Sequence, residues 1–171
     1  MHIIFFNTKG GVSKSTLCEC SANELTRLGY QVHVDNTDQQ EHVTLIDNDA
    51  ADYFLYDTAG AFTAANVELL KAAANAEALI IIPMNTGAND LKELDFILDR
   101  LDEFGVKSKS KVVLTKVRIN SALARSRREL IQSRGIEVAK WSMPMLDDFA
   151  DNRQSTRTRK EISAFLHEVV L

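Results

Sequence analysis

Residues 2–16, "HIIFFNTKGGVSKST", constrain the fold of this chain more than any other stretch. An apolar run, Ile3–Phe6, leads into a glycine pair, and a helical pattern begins at Lys14-Ser15. A strand, a tight turn and then a helix N-terminus form a ready anion site. The first helical amides have no intrahelical acceptors and point outward at the positive end of the helix dipole. Gly10 and Gly11 let the backbone wrap close to a phosphate with no side chain in the way. In that setting Lys14 is expected at the β- and γ-phosphates of a nucleotide, and the Ser15 hydroxyl on Mg²⁺. Gly10, Gly11, Val12, Ser13, Lys14, Ser15 and Thr16 are the expected cradle.

The rest of the chain continues the alternation that this start implies. "QVHVD", "YFLYD", "EALIIIPM", "KVVLTK" and "EVAKW" read as strands. Between them "STLCECSANELTRLG", "AANVELLKAAANA", "DLKELDFILDRLDEFG" and "SALARSRRELIQSRG" have helical spacing, and "TRKEISAFLHEVVL" closes the chain with an apolar stripe. "EALIIIPM" is continuously apolar, as a central strand buried on both faces must be. Strands alternating with helices predict an α/β fold, a mostly parallel twisted sheet with helices on both faces, of the P-loop nucleoside triphosphatase type. With no linker, repeat or low-complexity tract, residues 1–171 are expected to form one domain.

A parallel strand ending beside such a loop needs an acid near the metal. "YFLYD" supplies Asp57, expected to hold Mg²⁺ through water. Other chemistries find little support. The four histidines (His2, His33, His42, His167) are scattered without metal-ligand spacing. Cys18 and Cys20 fall on different faces of a helix, the pattern of reduced thiols, and there is no G-x-S-x-G. No apolar run is long enough to span a bilayer, and the N-terminus lacks the basic region and cleavage site of a signal peptide. A cytoplasmic protein is therefore expected.

The net charge of −4 hides an uneven distribution. Only six of the 20 Lys and Arg residues lie in the first hundred positions, and residues 107–134 carry nine of them against Glu129 alone. A second basic run comprises Arg153, Arg157, Arg159 and Lys160. This asymmetry points to a surface facing a polyanion.

The motifs together resemble the ParA/MinD family of deviant Walker A ATPases. "TKGGVSKST" is similar to the family's KGGxGK[ST]T, "GYQVHVDNTDQQ" to its D-x-D-P-Q segment, "YFLYDTAG" to its Walker B motif and "ALIIIPMNTGANDL" to its following strand and loop. "VVLTKVRINSALARSRREL" resembles the matching segment of small plasmid ParA proteins. The resemblance implies that Lys9 is the signature lysine, reaching the phosphates of a second protomer in an ATP-sandwich homodimer. It makes Asp38 the acid that places the attacking water, so that Lys9, Lys14 and Asp38 form the catalytic set with ATP and Mg²⁺ as cofactors. Three letters depart from the family pattern. Ser13 replaces glycine, which requires a backbone already helical there with its Cβ turned away from the phosphates. Asn36 replaces the first aspartate of D-x-D-P-Q, and Gln39 the proline, both of which imply weak turnover.

By the same resemblance the chain is a nucleoid-associated partition or positioning ATPase. It would bind DNA without sequence preference through Arg125, Arg127, Arg128, Arg157 and Arg159, and work with a ParB-like or other adaptor on a plasmid or other cargo. Only 16 residues separate Gln40 from Asp57, and no N-terminal operator-binding extension is expected. The alternatives are a MinD-like membrane switch or a degenerate ATP-binding dimerisation switch. Stable membrane insertion is not expected. The polar face of the closing helix carries Ser163, His167 and Glu168, not the lysines and arginines that a lipid surface would attract.

Overall fold

The computed structural model describes residues 1–37, 45, 50–118 and 120–171. Its first strand, β1 (His2–Phe5), is buried on both faces, with Ile3, Ile4 and Phe5 wholly inaccessible. That accounts for its unbroken apolar sequence. The chain continues through α1 (Lys14–Arg27), β2 (Val32–Asn36), β3 (Tyr53–Asp57), α2 (Ala64–Ala74), β4 (Ala78–Met84) and α3 (Ala88–Glu103). A 3-10 turn (Lys107–Lys109) then leads into β5 (Ser110–Val117), α4 (Ala122–Gln132), β6 (Glu137–Pro144), the short α5 (Asp147–Ala150) and α6 (Thr156–Val169).

All strand pairs are parallel, in the order β2-β3-β1-β4-β5-β6. From β1 the chain goes to the edge strand β2, returns through β3 beside β1, and then crosses to the other side at β4. Such a reversal opens a crevice at the carboxyl ends of the central strands, where ligands of open α/β sheets bind. Side chains alternate across the sheet and build two cores. Ile4, Phe54, Tyr56, Ile80 and Ile82 pack under α2, α3 and α4. Ile3, Phe5, Leu55, Ile81 and Val113 pack under α1 and α6. The stripe Ile162, Phe165, Leu166 and Val169 of α6 is buried in this second core.

Three helices start with side-chain caps. Thr63, Ser121 and Ser155 accept from the amides of Asn66, Ala124 and Thr158, relieving the unpaired donors of α2, α4 and α6. The cap residue of α1, Ser13, makes no such bond. The first-turn amides of α1 therefore take no bond from the side chain of their cap residue.

Candidate nucleotide-binding site

The loop between β1 and α1 is pinned from several sides. The Asn7 amide donates to the Pro83 carbonyl at 2.8 Å, while its oxygen accepts from the Lys9 backbone at 2.8 Å. Thr115, at the end of β5, donates to the Val12 carbonyl at 3.2 Å, and Val12 is fully buried. Thr58 donates to the Phe5 carbonyl at 2.8 Å, binding the β3 loop to the end of β1. A Cβ on Gly60 would lie 3.2 Å from both Cα and N of Gly10, so the two loops approach to within backbone contact.

Two of its residues have positive φ, Gly11 at 72° and Ser13 at 71°. The expectation that Ser13 is already helical is therefore corrected: it is left-handed, φ 71° and ψ 28°. A left-handed residue between loop and helix is the kind of turn that gathers successive backbone amides into an anion-binding nest. Serine adopts it at a cost that glycine escapes.

The two lysines diverge. Lys14 is buried and its amine donates to the Lys9 carbonyl at 3.2 Å, inside the turn. Lys9 instead reaches the first turn of α3, where its amine lies 3.0 Å from the carboxylate of buried Asp90. Thr8 beside it donates to Glu93 of the same helix. Asp57 ends β3 in register with Phe5 on one side and Asn36 on the other. Strand alternation puts it on the α1 face with Leu55. Its charge reaches the Cys18 thiol on α1, which burial foremost, then Asp57 and Glu19, hold well above the usual thiol range. Ser15 is exposed at the start of the same helix. Asp57 and Ser15 thus belong to one end of the sheet, a donor set that suits a hard cation completed by water and phosphate oxygens. Asp38 and Gln39 lie outside the described residues. Thr37 just before them donates to the Asp57 carbonyl at 3.2 Å.

A cavity of about 550 Å³ extends from the loop. Ser13, Lys14, Ser15 and Thr16 line one side of it, and Met143–Leu146 with Phe149 and Ala150 of α5 form an apolar wall beside Asp147. This wall, with Pro144, Met145 and Phe149, was invisible to sequence periodicity because α5 has only four residues. The sole local signal was "MPMLDDFA", a proline and an acid pair after a strand.

The five arginines expected on DNA fall into different surroundings. Arg127 donates to the Thr86 carbonyl and Arg128 to the Lys140 carbonyl and the Ser142 hydroxyl, so both brace α4 against its neighbours. Arg125 and Arg128 line a notch with Arg118 and Lys140. Arg157 and Arg159 are exposed on α6, and Arg159 lines a separate small cleft against α1.

A family model described as the CobQ/CobB/MinD/ParA nucleotide binding domain matches residues 3–158. No curated protein matches the chain. Among solved structures, a protein of Borrelia burgdorferi B31 assigned to plasmid partition, bound to AMPPNP, superposes with a TM-score of 0.73 at 14% identity, covering 98% of both chains. MinD of Aquifex aeolicus superposes at 0.67 with 14% identity, covering 97% of this chain and 96% of its own. An ATP complex of a McdA variant from Cyanothece superposes at 0.71 with 11% identity, covering 98% and 95%. At such identities the likeness is one of fold.

Proposed function

The chain belongs to the CobQ/CobB/MinD/ParA nucleotide-binding family, and from that premise we propose that it is a ParA-like ATPase that dimerises on ATP. It binds DNA without sequence preference and positions a plasmid or other cargo with an adaptor protein. The observation that carries this reading is the divergence of Lys14 and Lys9. Lys14 is buried in its own turn and lines the nucleotide cavity, whereas Lys9 does not line that cavity and leaves the loop toward Asp90. A cation on the loop that points away from its own phosphate pocket can, on leaving Asp90, serve the nucleotide of a second protomer.

In this reading the amides of Gly11–Thr16 and the Lys14 amine hold the β- and γ-phosphates. Ser15 directly, and Asp57 through water, hold Mg²⁺, which neutralises phosphate charge when bound. Asp38 orients the attacking water, and Lys9 of one protomer adds charge to the phosphates of the other. Hydrolysis is weak, since neutral Asn36 stands in register with Asp57 where the family pattern has an acid. For DNA, the notch of Arg118, Arg125, Arg128 and Lys140 and exposed Arg157 and Arg159 offer phosphate-backbone contacts. The MinD-like alternative loses ground, because the apolar stripe of α6 is buried in the core.

Light scattering after size exclusion tests the reading. Mg-ATP is expected to double the mass of the wild type. Lys14→Ala should lose nucleotide binding and dimer together, and Lys9→Ala should keep ATP binding and lose the dimer. A wild type that stays monomeric with saturating Mg-ATP, or that gives no ATP-dependent, salt-sensitive gel shift of random-sequence DNA, overturns it.

A further inference from the structure

At the end of β5 the chain does something neither strand geometry nor packing requires. Lys116 has φ 53°, left-handed for a residue with a full side chain. Between Leu114 and Val117, β5 advances three residues while β6 advances two, from Ser142 to Pro144. The extra residue makes a bulge, a device that re-aims side chains next to functional sites. Held strain of this kind persists only where the surroundings enforce it. Here the result is specific: the Lys116 amine donates to the Gly11 carbonyl at 2.8 Å, inside the phosphate loop. Lys116 is nevertheless solvent-exposed, and it lines the same cavity as Lys14, Ser15 and the Met143–Leu146 wall.

We infer that Lys116 is a further nucleotide-binding residue, its ammonium shared between the Gly11 carbonyl and the ribose–α-phosphate stretch of a bound nucleoside di- or triphosphate. The inference rests on the nucleotide reading above and assigns a third lysine to the site. The two ends of the cavity define the ligand's course, with terminal phosphates at the start of α1 and the base against the apolar wall. Lys116 lines the cavity together with both sets of residues and is anchored to the phosphate loop. An ammonium has three donors and a single carbonyl satisfies one of them. A neighbouring Thr115 hydroxyl already serves the Val12 carbonyl and Asn85, so β5 meets the loop with two consecutive side chains.

Calorimetric titration with Mg-ADP, which avoids dimerisation by ATP, tests this with wild type, Lys116→Gly and Lys116→Arg at low and high salt. Glycine accepts the left-handed backbone freely, so Lys116→Gly is expected to be no less stable to urea than wild type. Its affinity for Mg-ADP is expected to fall roughly tenfold, as loss of one charge-assisted contact implies, with a shallower salt dependence. Lys116→Arg should restore most of the affinity. Wild-type affinity and salt dependence in Lys116→Gly overturn the inference and leave the nucleotide reading standing. A wild type that binds no Mg-ADP overturns both.

Discussion

Ser13 and Gly60 show how narrow the tolerances of the loop are at the level of single residues. Ser13 holds a left-handed conformation, 71° in φ, that costs a side-chain-bearing residue about 1–2 kcal/mol. Ser13→Gly removes that strain but loosens the unfolded chain, so a net gain of about 0.5–1 kcal/mol is expected in urea unfolding. An unchanged or lower midpoint would show that the serine is unstrained. Gly60 lies where a Cβ would come within 3.2 Å of the Gly10 backbone, which has no flexible side chain to give way. Gly60→Ala should destabilise the protein by about 1–3 kcal/mol and weaken Mg-ADP binding, read by urea melts and calorimetry. Wild-type values for both would mean that the two loops separate at little cost.

At the scale of elements, α1 and α6 are bound to each other and to the sheet. Phe165 is fully buried and rests on Trp141 with ring centroids 5.0 Å apart. Phe165→Ala is expected to lower unfolding free energy by about 3–5 kcal/mol, and a loss under 1 kcal/mol would contradict the packing described. On α1, Glu24 is buried and takes two bonds from Arg27, at 2.8 and 2.7 Å. The Arg27 hydrogen bonds hold its carboxyl below the usual carboxylate range. A depressed folded-state pKa contributes stability above the unfolded value near 4.3, which is lost as pH falls through the folded value. Stability should therefore fall on acidification below about pH 4.3, less steeply in Glu24→Gln than in wild type. Identical acid limbs in the two proteins would refute the linkage.

For the molecule as a whole, the pair of Lys9 and Asp90 ties the loop to α3. Asp90 is 6% exposed and Lys9 38%, so the lysine is the partner able to leave. Dimerisation as proposed exchanges the Asp90 carboxylate for phosphates of the opposing protomer. Asp90→Asn removes the competing charge, and sedimentation is expected to find more dimer than wild type at the same subsaturating Mg-ATP. Equal or smaller dimer fractions would mean that Asp90 does not compete for Lys9. The first turn of α3 also gains from the acid at its N-terminus, so this variant should be slightly less stable, by about 0.5 kcal/mol.

The local parts of this protein are written in its sequence. "YFLYD" is β3 from end to end, "EALIIIPM" is β4 within one residue, and glycines at positions 29, 105 and 135 follow α1, α3 and α4 with positive φ. Each signal concerns what a segment does with its own backbone or apolar stripe, and that information is contiguous. The loop between β1 and α1 is legible for the same reason, since a strand end, a turn and a helix start follow one another in consecutive residues. What only tertiary structure decided are the meetings across the sheet. Asp90 against Lys9, Lys116 against Gly11, and the Met143–Leu146 wall beside α1 all depend on the strand order β2-β3-β1-β4-β5-β6. The left-handed turn at Ser13 belongs with them. Serine by itself disfavours that conformation, and the packed loops of β3 and β5 around the turn outweigh the preference.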